Sequence, residues 1–189
     1  MQETFDLING FKVNNQGENE RAINLIGTTG CGKSTLALFL CDKLLIAKEN
    51  AYHYIVIEAE DENQTGGVVI SHSNKAETKM PIKVYQVKHK VVVWDNPGFS
   101  DNRGISQELA NAYYSATLLE TTQQFHYVLV ISEHSLYDRG TKCLSIIKQF
   151  ADICKDINSL EGSCSLFVLH PNSLQKDCSG FKIQSLKSH

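Results

Sequence analysis

Long apolar runs are missing from this 189-residue sequence. None approaches the roughly 20 residues that a bilayer-spanning helix needs, so no membrane span is expected. The opening residues, Met1-Gln2-Glu3-Thr4-Phe5-Asp6, lack the cationic and apolar blocks of a secretory signal. Leu186-Lys187-Ser188-His189 carries no prenylation motif. These absences point to the cytoplasm. No basic run is present and the net charge is −3, which speaks against electrostatic binding of nucleic acid. The six cysteines include no C-x-x-C pair, so neither a zinc site nor a dithiol motif is indicated. His53, His72, His89, His126, His134 and His170 show no metal-ligand spacing. Glu58, Glu60, Asp61 and Glu62 lack the ligand spacing of a calcium loop and are expected to form a solvated loop. No internal repeat or proline-rich linker divides the chain. What remains is an ordinary composition, 42% hydrophobic and 21% charged, long enough for one α/β domain with a real core.

One stretch stands out. Gly27-Thr28-Thr29-Gly30-Cys31-Gly32-Lys33-Ser34-Thr35 fits G-x-x-x-x-G-K-[ST], the phosphate-binding loop, or P-loop, of nucleoside triphosphatases. The run Ile23-Asn24-Leu25-Ile26 before it predicts a short buried strand. Leu36, Leu40 and Leu44, with Phe39 beside them, predict a helix after it, running to about Ala47. Glycines at 27, 30 and 32 let successive backbone N–H groups turn inward around anionic oxygens. The helix N-terminus adds unpaired N–H groups and the positive end of a dipole. Lys33 can reach the β- and γ-phosphates, and the Ser34 hydroxyl can ligate Mg²⁺. Cys31, near a helix start, is either a small loop side chain or a thiol of lowered pKa.

Strands and helices alternate along the rest of the chain. Residues 1 to 20 are a polar lead-in that Phe5, Leu7, Ile8 and Phe11 can anchor. Tyr54-Ile55-Val56-Ile57 fits a strand or a helix extension, and Val68-Val69-Ile70 a short strand. Ile82 to Lys88 alternates in period two. Val91-Val92-Val93-Trp94 is continuous and apolar, as in a strand buried on both faces. The two lie close enough for an antiparallel edge hairpin turning at Lys88 to Lys90. A helix is expected from Ser106 to Glu120, with Leu109, Ala112, Tyr113, Ala116 and Leu119 on one face. Tyr127 to Ile131 forms the next strand. A helix from Thr141 to Ile157 brings Leu144, Ile147, Ala151 and Cys154 together, and Leu166 to Leu169 is the last strong strand. This order predicts a mostly parallel sheet with helices on both faces.

Asp95-Asn96-Pro97-Gly98 follows the Val91 strand. An aspartate at a strand end, downstream of the loop lysine, can hold Mg²⁺ through water, and the Gly98 N–H can meet a γ-phosphate. The loop and this segment together resemble the translation-factor-related class of P-loop GTPases. Asp95-Asn96-Pro97-Gly98-Phe99-Ser100-Asp101-Asn102-Arg103-Gly104 is similar to the D-x-P-G-[FL]-x-D-[ST]-R-G stretch of septin-like and immunity-associated GTPases. The resemblance implies a three-layer P-loop G domain over residues 21 to 189, with one antiparallel edge strand. It implies GTP binding with Mg²⁺ as cofactor, ATP being the alternative, and a homodimer across the nucleotide face. Carried to this sequence, it puts Gly27, Thr28, Thr29, Gly30, Cys31, Gly32, Lys33, Ser34 and Thr35 on the nucleotide, with Thr35 beside the α-phosphate and Gly98 at the γ-phosphate. Ser34, Asp95 and a switch threonine would hold the metal. Thr78 is the choice for that threonine, with Thr65 and Ser73 as rivals. Lys33, Thr78 and Arg103 are the candidate catalytic residues. Arg103 either stabilises charge, in its own site or across a dimer, or pairs with Asp101 at a helix start.

The sequence departs from the family pattern in three places. Leu169 is followed by His170-Pro171-Asn172-Ser173-Leu174-Gln175-Lys176-Asp177 rather than the guanine-reading [NT]-K-x-D box. Phe99 stands where small signalling GTPases carry a glutamine that orients water, and Thr29 where many members have glycine, so turnover is expected to be slow. The stretch after Leu169 is too short for the last strand and closing helix of a complete domain. Phe181-Lys182-Ile183 offers the strand alone, which leaves a fragment, a shortened product and a divergent domain as alternatives.

Overall fold

A computed structural model of the protein describes residues 2–14, 21–70, 78–99, 103–121, 124–137, 140–154 and 162–169. The central sheet is built from β1 (Arg21–Ile26), β4 (Ile82–Gln86), β5 (Val91–Asp95), β6 (Gln124–Ser132) and β7 (Cys164–Leu169), in the order β4-β5-β1-β6-β7. β1 pairs in parallel with β5 and β6, and β6 with β7; β4 runs antiparallel at the edge, as its tight turn onto β5 requires. β2 (Leu45–Glu49) and β3 (Ile55–Ala59) form a separate antiparallel hairpin. The helices are α1 (Gln2–Asn14), α2 (Lys33–Leu40), α3 (Ile105–Thr121), α4 (His134–Tyr137) and α5 (Thr141–Ile153).

Alternation along the strands sends side chains to opposite faces, and helices cover both. On one face Leu25, Val93 and Val130 pack with Leu36, Ala37, Leu38 and Cys41, which α2 and its end supply. On the other, Ala22, Val92 and Trp94 meet Phe11 of α1 and Ala110, Tyr114 and Leu118 of α3. Farther along that face, Ile26, Tyr127, Leu129 and Ile131 pack with Ile146 and Phe150 of α5. The expected α/β class, with a mostly parallel sheet and an antiparallel edge strand, is what the chain forms. Among the described residues no helix is long and apolar enough to cross a membrane.

Several local expectations are corrected. The lead-in contains a helix, α1, whose Phe11 is buried between Trp94 and Tyr114; Phe5 stays exposed. One buried aromatic per three turns leaves the segment polar on average, which hides the helix in composition. α2 ends at Leu40, not near Ala47. Asp42 takes a left-handed φ of 55°, Asp42 N–H bonds Phe39 O (3.1 Å) and Lys43 N–H bonds Leu38 O (2.9 Å). This is a Schellman ending with aspartate in glycine's usual place. The Asp42 carboxylate accepts from Gln86 Nε2 at 2.5 Å, so its side chain ties the helix end to β4. Val68-Val69-Ile70 is not a strand, although Val68 is buried in the α2-side core. The buried stripe of α3 is Gln107, Ala110, Tyr114 and Leu118, one residue beside the expected one, and Leu109 is exposed. In α5 the inward residues are Ile146 and Phe150, with Cys143 and Cys154 packed alongside, while Leu144 is 64% exposed. In α5 the buried face is the one that carries Phe150, while in α3 both adjacent stripes carry a tyrosine, and helical period alone leaves the choice between them open.

Candidate functional site

The site lies where β1 and β5 end side by side. β1 hands its chain to the loop 27–32. Thr28 makes a parallel bridge to Phe99, and the Phe99 N–H donates to Gly27 O at 2.9 Å, so the loop and the segment after β5 continue the sheet for one more pair. The glycines allow this approach. A β-carbon at Gly98 would collide with the backbone N and Cα of Thr29. One at Gly27 would collide with the carbonyl of Val130 on β6. Gly32 caps α2 with φ 94° and lies under the Leu169 side chain, so it is constrained by conformation and by space.

Gly32 has no side chain to cap α2, and no acidic residue sits in the helix's first turn. The first-turn N–H groups, which no helix can satisfy internally, therefore face outward without a capping side chain. Thr35 is in that turn and half-buried. Lys33, only 6% exposed, folds back onto the loop. Its Nζ donates to Thr28 O at 2.8 Å and Gly27 O at 3.2 Å, and lies 3.8 Å from Cys31 Sγ. Neutral carbonyls thus hold a buried ammonium group.

Asp95, the last residue of β5, is fully buried. Ser34 Oγ donates to its Oδ2 at 2.7 Å, while Oδ1 is buried with no protein partner. Burial pushes the Asp95 carboxyl above its ordinary range; the Lys33 ammonium, then the Ser34 and Thr78 side chains, pull it back. The Asp95 carboxyl, the Ser34 hydroxyl and one unpartnered acceptor oxygen meet at this point, with the Thr78 side chain near enough to act on the carboxyl. That donor set suits a hard cation such as Mg²⁺, which takes one or two carboxylates and completes its shell from phosphate and water. Among the described residues no group of three His, Cys, Asp or Glu side chains could hold a metal by itself.

The sequence-derived candidates therefore fall into groups. Lys33, Ser34, Asp95 and Thr78 come together, and Gly27, Thr28, Thr29, Gly30, Cys31 and Gly32 line the loop beside Gly98. Thr29 Oγ1 is buried and has no partner. Thr65 is buried elsewhere, and its hydroxyl donates to Glu62 O at 2.9 Å within a 3₁₀ turn. Arg103 Nη2 donates to Thr78 O at 2.7 Å, so it grips the segment before β4. Phe99 turns its ring to the core on the α5 side. Ser73, Asp101, the stretch His170 to Asp177 and Phe181-Lys182-Ile183 lie outside the described residues.

Two contributors escaped the sequence reading. The Asn96 side chain donates to Leu25 O (3.0 Å), to Trp94 O (3.3 Å) and to Asn24 Oδ1, all buried. It joins the ends of β1 and β5 directly beside Asp95. The signal was a polar residue inside an apolar strand, Asn24, which a buried position tolerates only with a partner. Gln107 is the second: its Nε2 donates to Lys79 O and to Asn111 Oδ1, each at 2.8 Å. No protein-family model matches the chain, and no curated protein matches its sequence.

Proposed function

We propose that the protein is a Mg²⁺-dependent guanine-nucleotide-binding domain that hydrolyses GTP slowly and acts as a nucleotide-dependent switch or assembly module. The observation that carries this reading is the Ser34–Asp95 pair, with Asp95 Oδ1 unpartnered, directly behind the loop that holds Lys33. A nucleotide triphosphate would take the place of the loop carbonyls around Lys33 Nζ, and the first-turn N–H groups of α2 would meet its phosphates. Ser34, Thr78 and Asp95 would hold Mg²⁺, which supplies charge neutralisation on the phosphate oxygens. Gly98 would offer its N–H to the γ-phosphate. Slow turnover follows from Phe99, which packs into the core and has no group to orient water. Guanine rather than adenine rests on the resemblance of Asp95 to Gly104 to septin-like and immunity-associated GTPases. Homodimerisation across the nucleotide face rests on the same resemblance, and light scattering with and without nucleotide tests it.

The first experiment is equilibrium binding of fluorescent GTP and ATP, with and without Mg²⁺, to the wild type and to Lys33→Ala. GTP should bind more tightly than ATP, and more tightly with Mg²⁺. Lys33→Ala should weaken binding at least about tenfold, the scale of one lost charge-assisted hydrogen bond. Undiminished affinity in the variant would sink the proposal. Tighter binding of ATP would replace the guanine assignment by an ATP-binding P-loop protein.

A further inference from the structure

We infer that Arg103 and Gln107 are positioning residues that fasten the Thr78 segment to the start of α3, so that the two segments flanking Asp95 respond to nucleotide as one unit. The inference rests on the proposed nucleotide site and names its internal coupling.

Two neighbouring carbonyls, Thr78 O and Lys79 O, are each held by a side chain: Arg103 Nη2 at 2.7 Å and Gln107 Nε2 at 2.8 Å. Arg103 lies just before α3 and Gln107 in its first turn, so both clasping side chains come from the start of that helix. Gln107 N–H bonds Gly104 O at 3.1 Å, which fixes that turn. Gln107 is buried, and Asn111 Oδ1, one turn further on, accepts its second N–H at 2.8 Å and orients the amide. A buried glutamine with both donors committed to fixed acceptors is costly unless the arrangement is kept. The Thr78 side chain also acts on the Asp95 carboxylate. The clasp thus joins the segment leading into β4 to the start of α3, the two segments that flank Asp95 in the sequence. Through it, a γ-phosphate that drew in Gly98 would draw the Thr78 segment with it, and the reverse.

The test is amide hydrogen exchange on the full chain with Mg²⁺ and a non-hydrolysable GTP analogue, compared with GDP. In the wild type the amides of residues 78–82 and those of Phe99 and the first turn of α3 should slow together with the analogue. Arg103→Ala combined with Gln107→Met removes both clasping donors while keeping the volume at 107. In that variant Phe99 and α3 should still slow and residues 78–82 should not. Its preference for the analogue over GDP should fall about three- to tenfold, the scale of a coupling carried by one or two hydrogen bonds. Arg103→Lys should restore part of the effect. Joint slowing in the double variant, with the preference intact, overturns the coupling and leaves the nucleotide site standing. Equal weakening of both nucleotides together with a lowered melting temperature also overturns it, because that marks a structural staple. Failure of the wild type to bind either nucleotide removes the site itself, and the inference with it.

Discussion

Asp95 is a carboxylate placed where its charge is expensive. Its side chain is fully buried, one oxygen has a hydroxyl and the other has nothing. Burial raises its folded pKa, so between the ordinary aspartate value and the raised one the folded state holds more protons than the unfolded state. Stability contributed there is full at low pH and falls as pH rises through that window. Asp95→Asn should remove this dependence and stabilise the Mg²⁺-free protein at neutral pH, because it takes away the buried charge. Urea unfolding across a pH series measures both effects, and a lowered midpoint at neutral pH would contradict them. The same substitution should abolish the Mg²⁺ dependence of nucleotide binding. That Lys33, Ser34 and Asp95 come together was legible in the sequence, because the loop spacing and the strand end before Asp95 place them side by side. Asn96 was not, since an asparagine in a turn-like stretch carries the same letters whether it faces water or clamps two strands. The grip of Arg103 on Thr78 O was not legible, because it depends on a chain crossing that no local pattern encodes.

At the scale of the element, α2 has two ends that differ in kind. Its start is a glycine at φ 94° pressed by Leu169; its finish is an aspartate at φ 55° tied to β4. Gly32→Ala should therefore carry two separable penalties, the left-handed backbone and the collision with Leu169. Leu169→Ala relieves the second alone. In that background Gly32→Ala should still cost about 1–3 kcal/mol, the usual range for a non-glycine residue in a sparsely populated backbone region. A double-mutant cycle by chemical denaturation checks this, and complete rescue would show that space, rather than conformation, demands the glycine. The helix's start was readable from the motif. Its end was not, because Leu44 continues the apolar spacing while remaining 65% exposed on the far side of the turn. The faces of α3 and α5 slipped for a related reason: residues at three and four apart define two adjacent stripes, and only the partners, Trp94 and Phe11 for α3, decide between them.

For the whole molecule, the parallel core was readable because β5 and β6 are continuous apolar runs, which a sheet covered on both faces requires. The outer layer was less so. α1 joins it through Phe11, whose ring centroid lies 4.7 Å from Tyr114 and 6.4 Å from Trp94. Phe11→Ala should cost about 3 kcal/mol, the low end for a buried phenylalanine. Trp94 is the only tryptophan, so its fluorescence reports directly on this change. The expected signature is a red-shifted emission and an earlier urea midpoint. An unchanged spectrum would mean that α1 does not seal this face in solution.

The central strand is also the earliest of the sheet to be made. β1 emerges from the ribosome well before either neighbour, for Ala22 pairs with Val92 on one side and with Phe125 on the other. The loop that follows it is shaped by Phe99, which bonds Gly27 O, and by Val130, which closes over Gly27. A nascent chain thus exposes the glycine-rich loop sequence long before the loop can take its folded shape. Its strand has neither sheet neighbour to pair with in the interval, so this stretch stays unpaired until β5 and β6 have been made.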